Sequence, residues 1–477
     1  MTKMLSTRLL GLGVFSALAY AVLTAGCGSG DDNSLFPDSG DPNGKDGSAK
    51  CGITGCPTGD ASADARPCVG LECDVPKTCP SGPLQTSIRG AVFDPSGKLP
   101  LYNVIVYVPQ TRDPLPPLVN GATCDRCGAL AVSPVASALT DEKGEFLLAG
   151  IPAGKDIPLV IQVGKWRRQL KVNIDACKEH TFNAKDGSNR ETFLRLPGKQ
   201  SEGEMPQIAI TTGSADPLPC LLPRMGIDAS EFTAPTGNGR VHVYRGNGGN
   251  ISGVTGNDAD KTLWNAVPTL KKYDMVMLSC EGGERNETKS ANDKTNLRDY
   301  LDAGGRVFAT HYHYTWFKNG PADVASVATW GSTAGADGQA NTYAIDTSFP
   351  KGLSFGKWLQ NVNASADAAN IELKDVAKSV SDTNAKSLNW ISKPNDAFKV
   401  KYMSFNTPVA KPVDEQCGKA VLSDIHVSTG SDASNPPASC GNADLTAQEK
   451  ALVFLLMDLS SCVQNDREKP KDPGGPK

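Results

Sequence analysis

The stretch that decides the fold runs Tyr273-Asp274-Met275-Val276-Met277-Leu278, then Ser279-Cys280-Glu281-Gly282-Gly283, a helical pattern over 292–303, Gly304-Gly305, and Arg306-Val307-Phe308-Ala309-Thr310-His311-Tyr312-His313. Two apolar segments of strand length flank one helix, which turns Leu297, Tyr300 and Leu301 to a single side. The paired glycines stop that helix. Strand, helix and strand in this order predict a right-handed crossover and a parallel sheet covered on both faces. Ligands of such sheets bind beyond the carboxyl ends of the strands. That rule puts Cys280 and Glu281 at one strand end and His311-Tyr312-His313 at the next.

The same alternation extends outward over 204–463. Strands are expected at 207–210, 240–245 and 420–425, and a helix at 262–271. Residues 216–226 are partly helical in pattern, weakened by two prolines. Thr446-Ala447-Gln448-Glu449 is a capping box opening a helix to about Cys462. Residues 318–345, rich in Gly, Ala, Asn and Asp, read as a long excursion over the site, and 464–477 as a disordered tail.

His311 and His313 are two apart, so in extended chain they share a side, as do Asp424 and His426. Three imidazoles and a carboxylate suit Zn²⁺, which makes His311, His313, Asp424 and His426 the candidate metal ligands. The same groups also read as a metal-free polar pocket, or as packing beside Tyr312, Tyr314 and Trp316. Cys280, Glu281, His311 and His313 are the catalytic candidates, with Cys280 as a His-activated nucleophile. The alternative for Cys280 is a buried or disulfide-bonded thiol. No P-loop, G-x-G-x-x-G, H-E-x-x-H or G-x-S-x-G is present, so no cofactor other than Zn²⁺ is indicated. Gly246-Asn247-Gly248-Gly249 matches a phosphate loop only in glycine content.

Over 205–316 the chain resembles the class I glutamine-amidotransferase-like superfamily and, within it, ThuA-like domains. The resemblance implies a flavodoxin-like α/β domain with a parallel sheet. Amidotransferases carry a nucleophilic Cys at the elbow after the second strand. Here that place holds Thr310-His311-Tyr312-His313, and ThuA-like domains have a His matching His311. The amidotransferase nucleophile therefore does not carry over, and the reading leans towards binding; the alternatives are a cell-envelope hydrolase or carbohydrate-acting enzyme using a His311/His313/His426 site, and a structural envelope or adhesion protein without catalysis.

Residues 86–198 have a different period. Val104, Val106 and Val108 alternate, as do Leu159, Ile161, Val163 and then Leu170, Val172, Ile174. Short strands between turn signals predict a β-sandwich. Leu101-Tyr102-Asn103-Val104, Thr140-Asp141-Glu142-Lys143-Gly144-Glu145-Phe146 and Gly150-Ile151-Pro152-Ala153-Gly154 resemble the carboxypeptidase regulatory-like domain. That resemblance implies an all-β prealbumin-like sandwich, an accessory module of carbohydrate-binding-like type without catalytic residues.

Lys3 and Arg8 precede the apolar run 9–23, too short to span a bilayer. The run ends in Leu23-Thr24-Ala25-Gly26-Cys27, which resembles the lipobox of bacterial lipoproteins. This predicts a signal peptide over 1–26, lipidation (thioether diacylglycerol plus palmitate-like acyl chains) at Cys27 and an outer-membrane lipoprotein facing the periplasm or the exterior. Residues 27–85 read as the lipidated Cys and a disordered tether, with Cys51, Cys56, Cys68, Cys73 and Cys79 in local disulfide loops. Cys124-Asp125-Arg126-Cys127 is expected to be a structural disulfide. With Cys27 acylated, an odd number of the 14 cysteines remains, so one thiol is unpaired or bonded outside the chain. Lys and Arg (48) nearly balance Asp and Glu (52), which excludes a nucleic-acid partner and leaves a membrane anchor and a carbohydrate or protein ligand.

Overall fold

The computed structural model describes residues 67–80, 85–128, 130, 132–182, 193–247, 258–334, 336, 338–427 and 435–472. The signal peptide, Cys27, Cys51 and Cys56 lie outside them. Seven strands open the chain: β1 (Ser87–Ala91), β2 (Ile105–Pro109), β3 (Pro134–Leu139), β4 (Glu145–Ala149), β5 (Gly154–Val163), β6 (Trp166–Ile174) and β7 (Glu179–Phe182). They form a three-stranded sheet, β4-β1-β7, and a four-stranded sheet, β3-β2-β5-β6. Val104, Val106, Val108, Leu159 and Ile161 meet Ile88, Phe146 and Leu148 in one buried cluster, as the period-2 pattern requires.

Twelve strands make a third sheet among the described residues. They are β8 (Ile208–Thr211), β9 (Phe232–Thr233), β10 (Val241–Tyr244), β11 (Met275–Leu278), β12 (Arg306–Thr310), β13 (Ala328–Ala334), β14 (Ala340–Ile345), β15 (Asn370–Lys374), β16 (Lys378–Thr383), β17 (Leu388–Ser392), β18 (Val400–Thr407) and β19 (Gly418–Ser423). The run β9-β10-β8-β11-β12-β19 is parallel throughout. All four residues of β8 and of β11 are buried, the mark of strands covered on both faces. From β8 the chain winds to β10 on one side, then crosses to β11 on the other. Beyond β19 the sheet turns antiparallel through β18, β17, β14 and β15.

The Ala291–Asp302 helix starts on a capping box in which Ser290 and Asp293 satisfy each other's backbone N–H groups. Gly304 ends it at φ +108°, and a Cβ there would lie 2.1 Å from the Thr123 carbonyl oxygen. The capping box at Thr446 likewise opens the Ala447–Ser460 helix.

Several expectations need correction. The helix expected at 262–271 is two short turns, Ala259–Thr262 and Val267–Leu270; Pro268, with no N–H to donate, sits in the first turn of the second. The excursion at 318–345 instead carries a short helix, Ala322–Ala325, and the strands β13 and β14, paired with β16, β15 and β17. The end of the tether is folded: Gly70–Asp74 is a 3-10 turn burying Leu71, whose N–H bonds the Gln110 carbonyl at 2.8 Å. The tail is packed to Asp466, which is buried between Lys351 and Lys419, while Arg467, Glu468 and Lys469 are exposed.

The disulfides also differ. Cys68–Cys73 is the local loop expected, but Cys79 bonds Cys177. Cys124 and Cys127 bond not each other but Cys417 and Cys462, joining the segment between β2 and β3 to the second half. Cys220–Cys440 is the fifth bond, and Cys280 is the free thiol among the described residues. The hydrophobic core is continuous across the 198–204 boundary: Leu101 and Phe146 share a cluster with Met225, Trp358 and Phe454. Tyr102 stacks on Phe454 at 5.7 Å, and the Trp358 indole N–H donates to the Pro100 carbonyl at 2.7 Å.

Candidate functional site

Four loops leave the carboxyl ends of β8, β11, β12 and β19, on both sides of the β8/β11 switch in winding direction. This is where a doubly wound sheet opens a crevice. Hydroxyl side chains tie the strand ends together. The Cys280 N–H donates to Thr310 Oγ1 at 2.9 Å, and the Ser279 N–H to Thr211 Oγ1 at 3.0 Å. Gly213 lets the β8 loop lie against Cys280; a Cβ there would stand 2.2 Å from the Cys280 carbonyl oxygen.

His311 does not continue β12. It begins a 3-10 turn, His311–Tyr314, with φ +39°, in the left-handed region. The turn sends the two imidazoles apart. His311 packs on Tyr312 at 4.0 Å and on His426 at 5.3 Å, and its Nδ1 lies 3.6 Å from Cys280 Sγ. One donor atom from each of Cys280, His311 and His426 lies within 4.8 Å of the others. These three residues are close enough to hold a metal ion.

His313 is excluded from that group. Its Nδ1 accepts the Trp316 indole N–H at 2.9 Å, so Nε2 carries the proton and donates it to the Ser279 carbonyl at 2.8 Å. Both ring nitrogens are engaged in structure. Asp424 is excluded too. β19 ends at Ser423, whose hydroxyl caps the Ile425 N–H, and the extended geometry assumed for 424 and 426 is lost. The Asp424 carboxylate instead receives the N–H and hydroxyl of Ser379. Glu281 forms a buried ion pair with Lys289 and accepts the Asn247 N–H at 2.8 Å.

Burial sets the charge states. It pushes the Cys280 thiol up to about 12, which removes it as a nucleophile in the metal-free protein. Burial, with His426 and His313 adding to it, lowers His311 to about 3, so its imidazole is neutral and free to ligate. Burial, with Lys289 adding to it, lowers His313 to about 4 against the opposing pull of Glu281, and burial raises Asp424 to about 6.

Asp216 was not legible as a site residue. It is 2% exposed, on the loop after β8, and its Oδ1 accepts the Val427 N–H at 3.1 Å. Its Oδ2 is buried without a partner, like Nε2 of His311 and of His426. Thr310 lies beside it, but the single Thr310 hydroxyl proton goes to the Leu278 carbonyl at 3.2 Å. Burial raises the Asp216 carboxyl against the opposing pull of His426. Only its place at the same strand edge signalled it in the sequence. A cleft of about 770 Å³ beside Lys98, Arg224 and Asp444 lies elsewhere. There Lys98 pairs with Asp444, Arg224 with Glu449, and Lys450 donates to the Val362 carbonyl at 2.7 Å.

No family model and no curated protein matches the chain. Two solved structures do, both mutants of a type II cohesin–X-dockerin complex from Acetivibrio cellulolyticus. The C-terminal interface mutant is 16% identical and the N-terminal one 15% identical, each covering 28% of this chain and 78% of that chain at a TM-score of 0.15. Likeness at that level carries no argument about fold or function.

Proposed function

We propose that the chain is an exported lipoprotein, anchored through Cys27 to the outer membrane, whose α/β half binds Zn²⁺ at the carboxyl edge of its parallel sheet. The prealbumin-like and flavodoxin-like readings of the two halves belong to the same proposal, with the sandwich as an accessory module for a carbohydrate or protein ligand. Five disulfides among the described residues fit an oxidising compartment. No described helix is long and apolar enough to cross a membrane.

The observation that carries the metal reading is the meeting of Cys280, His311 and His426. Zn–S of about 2.3 Å and Zn–N of about 2.0–2.1 Å at a tetrahedral angle separate two donors by about 3.5 Å. Cys280 Sγ and His311 Nδ1 stand 3.6 Å apart. A thiol donating to His311 would account for that distance, but not for the buried, unpartnered Nε2 of His426. A bound ion would draw the proton from the thiol in spite of its burial.

Elemental analysis of the purified chain should find one zinc per molecule, and added Zn²⁺ should raise the melting temperature as RT ln(1 + [L]/Kd). Cys280→Ser, His311→Ala and His426→Ala should abolish the rise together, while Asp424→Asn keeps it. An unchanged melting temperature across the zinc series overturns the reading.

A further inference from the structure

We propose that this centre is open: an ion on Cys280, His311 and His426 keeps a fourth position for a small exogenous ligand that brings a proton, and Asp216 accepts the hydrogen bond from it. The inference rests on the metal reading above and goes on to name the class of ligand. Its first ground is the donor count. A tetrahedral ion takes four donors, and a site with three protein donors leaves one place to water or substrate. Among the described residues, three His, Cys, Asp or Glu donors come together here, and Asp216 is not one of them.

The second ground is the uneven burial. Cys280 and His311 are 0% and 4% exposed, whereas His426 is only half-buried. His426, the least buried of the three, marks the side from which a ligand would come. Asp216 stands on that side, because its Oδ1 holds the N–H of Val427, the next residue. The Asp216 carbonyl also accepts the Ser279 hydroxyl, one residue before Cys280. The carboxylate is thereby clamped between the loops that carry two of the three donors.

The third ground is the oxygen left over. Asp216 Oδ2 is buried and has no donor. Such an atom costs free energy unless something satisfies it. Beside a divalent cation the Asp216 carboxyl is held ionised against its burial, and an ionised carboxylate oxygen only accepts, so its partner must carry O–H or N–H. The ligand class is therefore a metal-binding oxygen with a proton on it or beside it: water, a hydroxyl, or a hydroxamate. A proton-free anion gains the ion but nothing from Asp216.

The test uses the full chain loaded with Co²⁺, whose visible spectrum reports coordination, with acetohydroxamate and azide as probes. Both should change the spectrum of the wild-type protein. Asp216→Asn should keep one Co²⁺ per chain and weaken acetohydroxamate about tenfold or more. Its azide affinity should hold or rise. Asp216→Ala should repeat the pattern, which separates loss of the acceptor from misfolding. A Co²⁺-loaded protein whose spectrum ignores both probes has a closed site and overturns the proposal, leaving the metal reading standing. Equal loss of both probes in the Asp216 variants removes Asp216 from its role. Failure to take up Co²⁺ overturns both readings.

Discussion

Replacing Cys27 by Ser removes the thiol on which a diacylglycerol would be built, so Cys27→Ser should leave the protein unacylated and out of the membrane fraction. Palmitate labelling with fractionation decides it; a Ser variant that labels and sediments like wild type ends the lipoprotein reading. At the same scale, the sequence was a partial guide to the site. His311 and His426 were legible as ligand candidates because apolar strands end just before them, whereas Cys280 was read as a nucleophile or a buried thiol and not as a ligand. His313 and Asp424 misled because the two-residue spacing was read as extended chain. At His311 the backbone turns left-handed, and after Ser423 it folds back on a hydroxyl. Neither event leaves a mark on residue type. Asp216 was hidden by its context of prolines, which reads as a broken helix.

Four charges join three secondary-structure elements and the chain end. Lys351, on the Pro350–Asn361 helix, contacts Asp458 at 2.8 Å and Asp466 at 2.6 Å, and Lys419 of β19 contacts the same two carboxylates at 2.7 Å each. Burial by itself would raise Asp458, but Lys351 and Lys419 hold it well below the usual carboxylate range. A carboxyl depressed in the folded state contributes stability above its unfolded value, near 3.9, and loses it as pH falls below. Urea melts should therefore show stability declining from about pH 4 downward. Lys351→Met leaves two buried carboxylates facing one lysine and should cost about 3–5 kcal/mol at neutral pH, with a flatter acid limb. A cost under about 1 kcal/mol would mean the cluster is not coupled as its geometry implies. Elements with strong local signals, such as the two capped helices and the apolar parallel strands, were readable. β13 to β17 were not, because their alternation is interrupted by small and polar residues and their pairing is supplied by the sheet.

At the scale of the molecule, a change of period near residue 200 divides the sequence, but the packing does not follow it. Trp358, Phe454 and Tyr102 belong to one core with the sandwich, and from Pro67 onward the described chain forms one compact unit. Calorimetry on the oxidised protein should show a single transition with matching calorimetric and van't Hoff enthalpies. Two resolved peaks would restore independent domains. The bonding of Cys124 and Cys127 has a consequence for biogenesis. An exported chain enters the oxidising compartment from its N-terminus, so these two thiols arrive side by side, 293 and 335 residues ahead of their partners. Oxidation during translocation favours whichever thiols are already present, and the neighbours have only each other or cysteines nearer the N-terminus. The native cross-links must wait for almost the whole polypeptide, and any early pairing has to be undone by thiolate attack. The cell that makes this protein therefore needs either a thiol-exchange catalyst outside the cytoplasm or a delay in oxidation until synthesis ends.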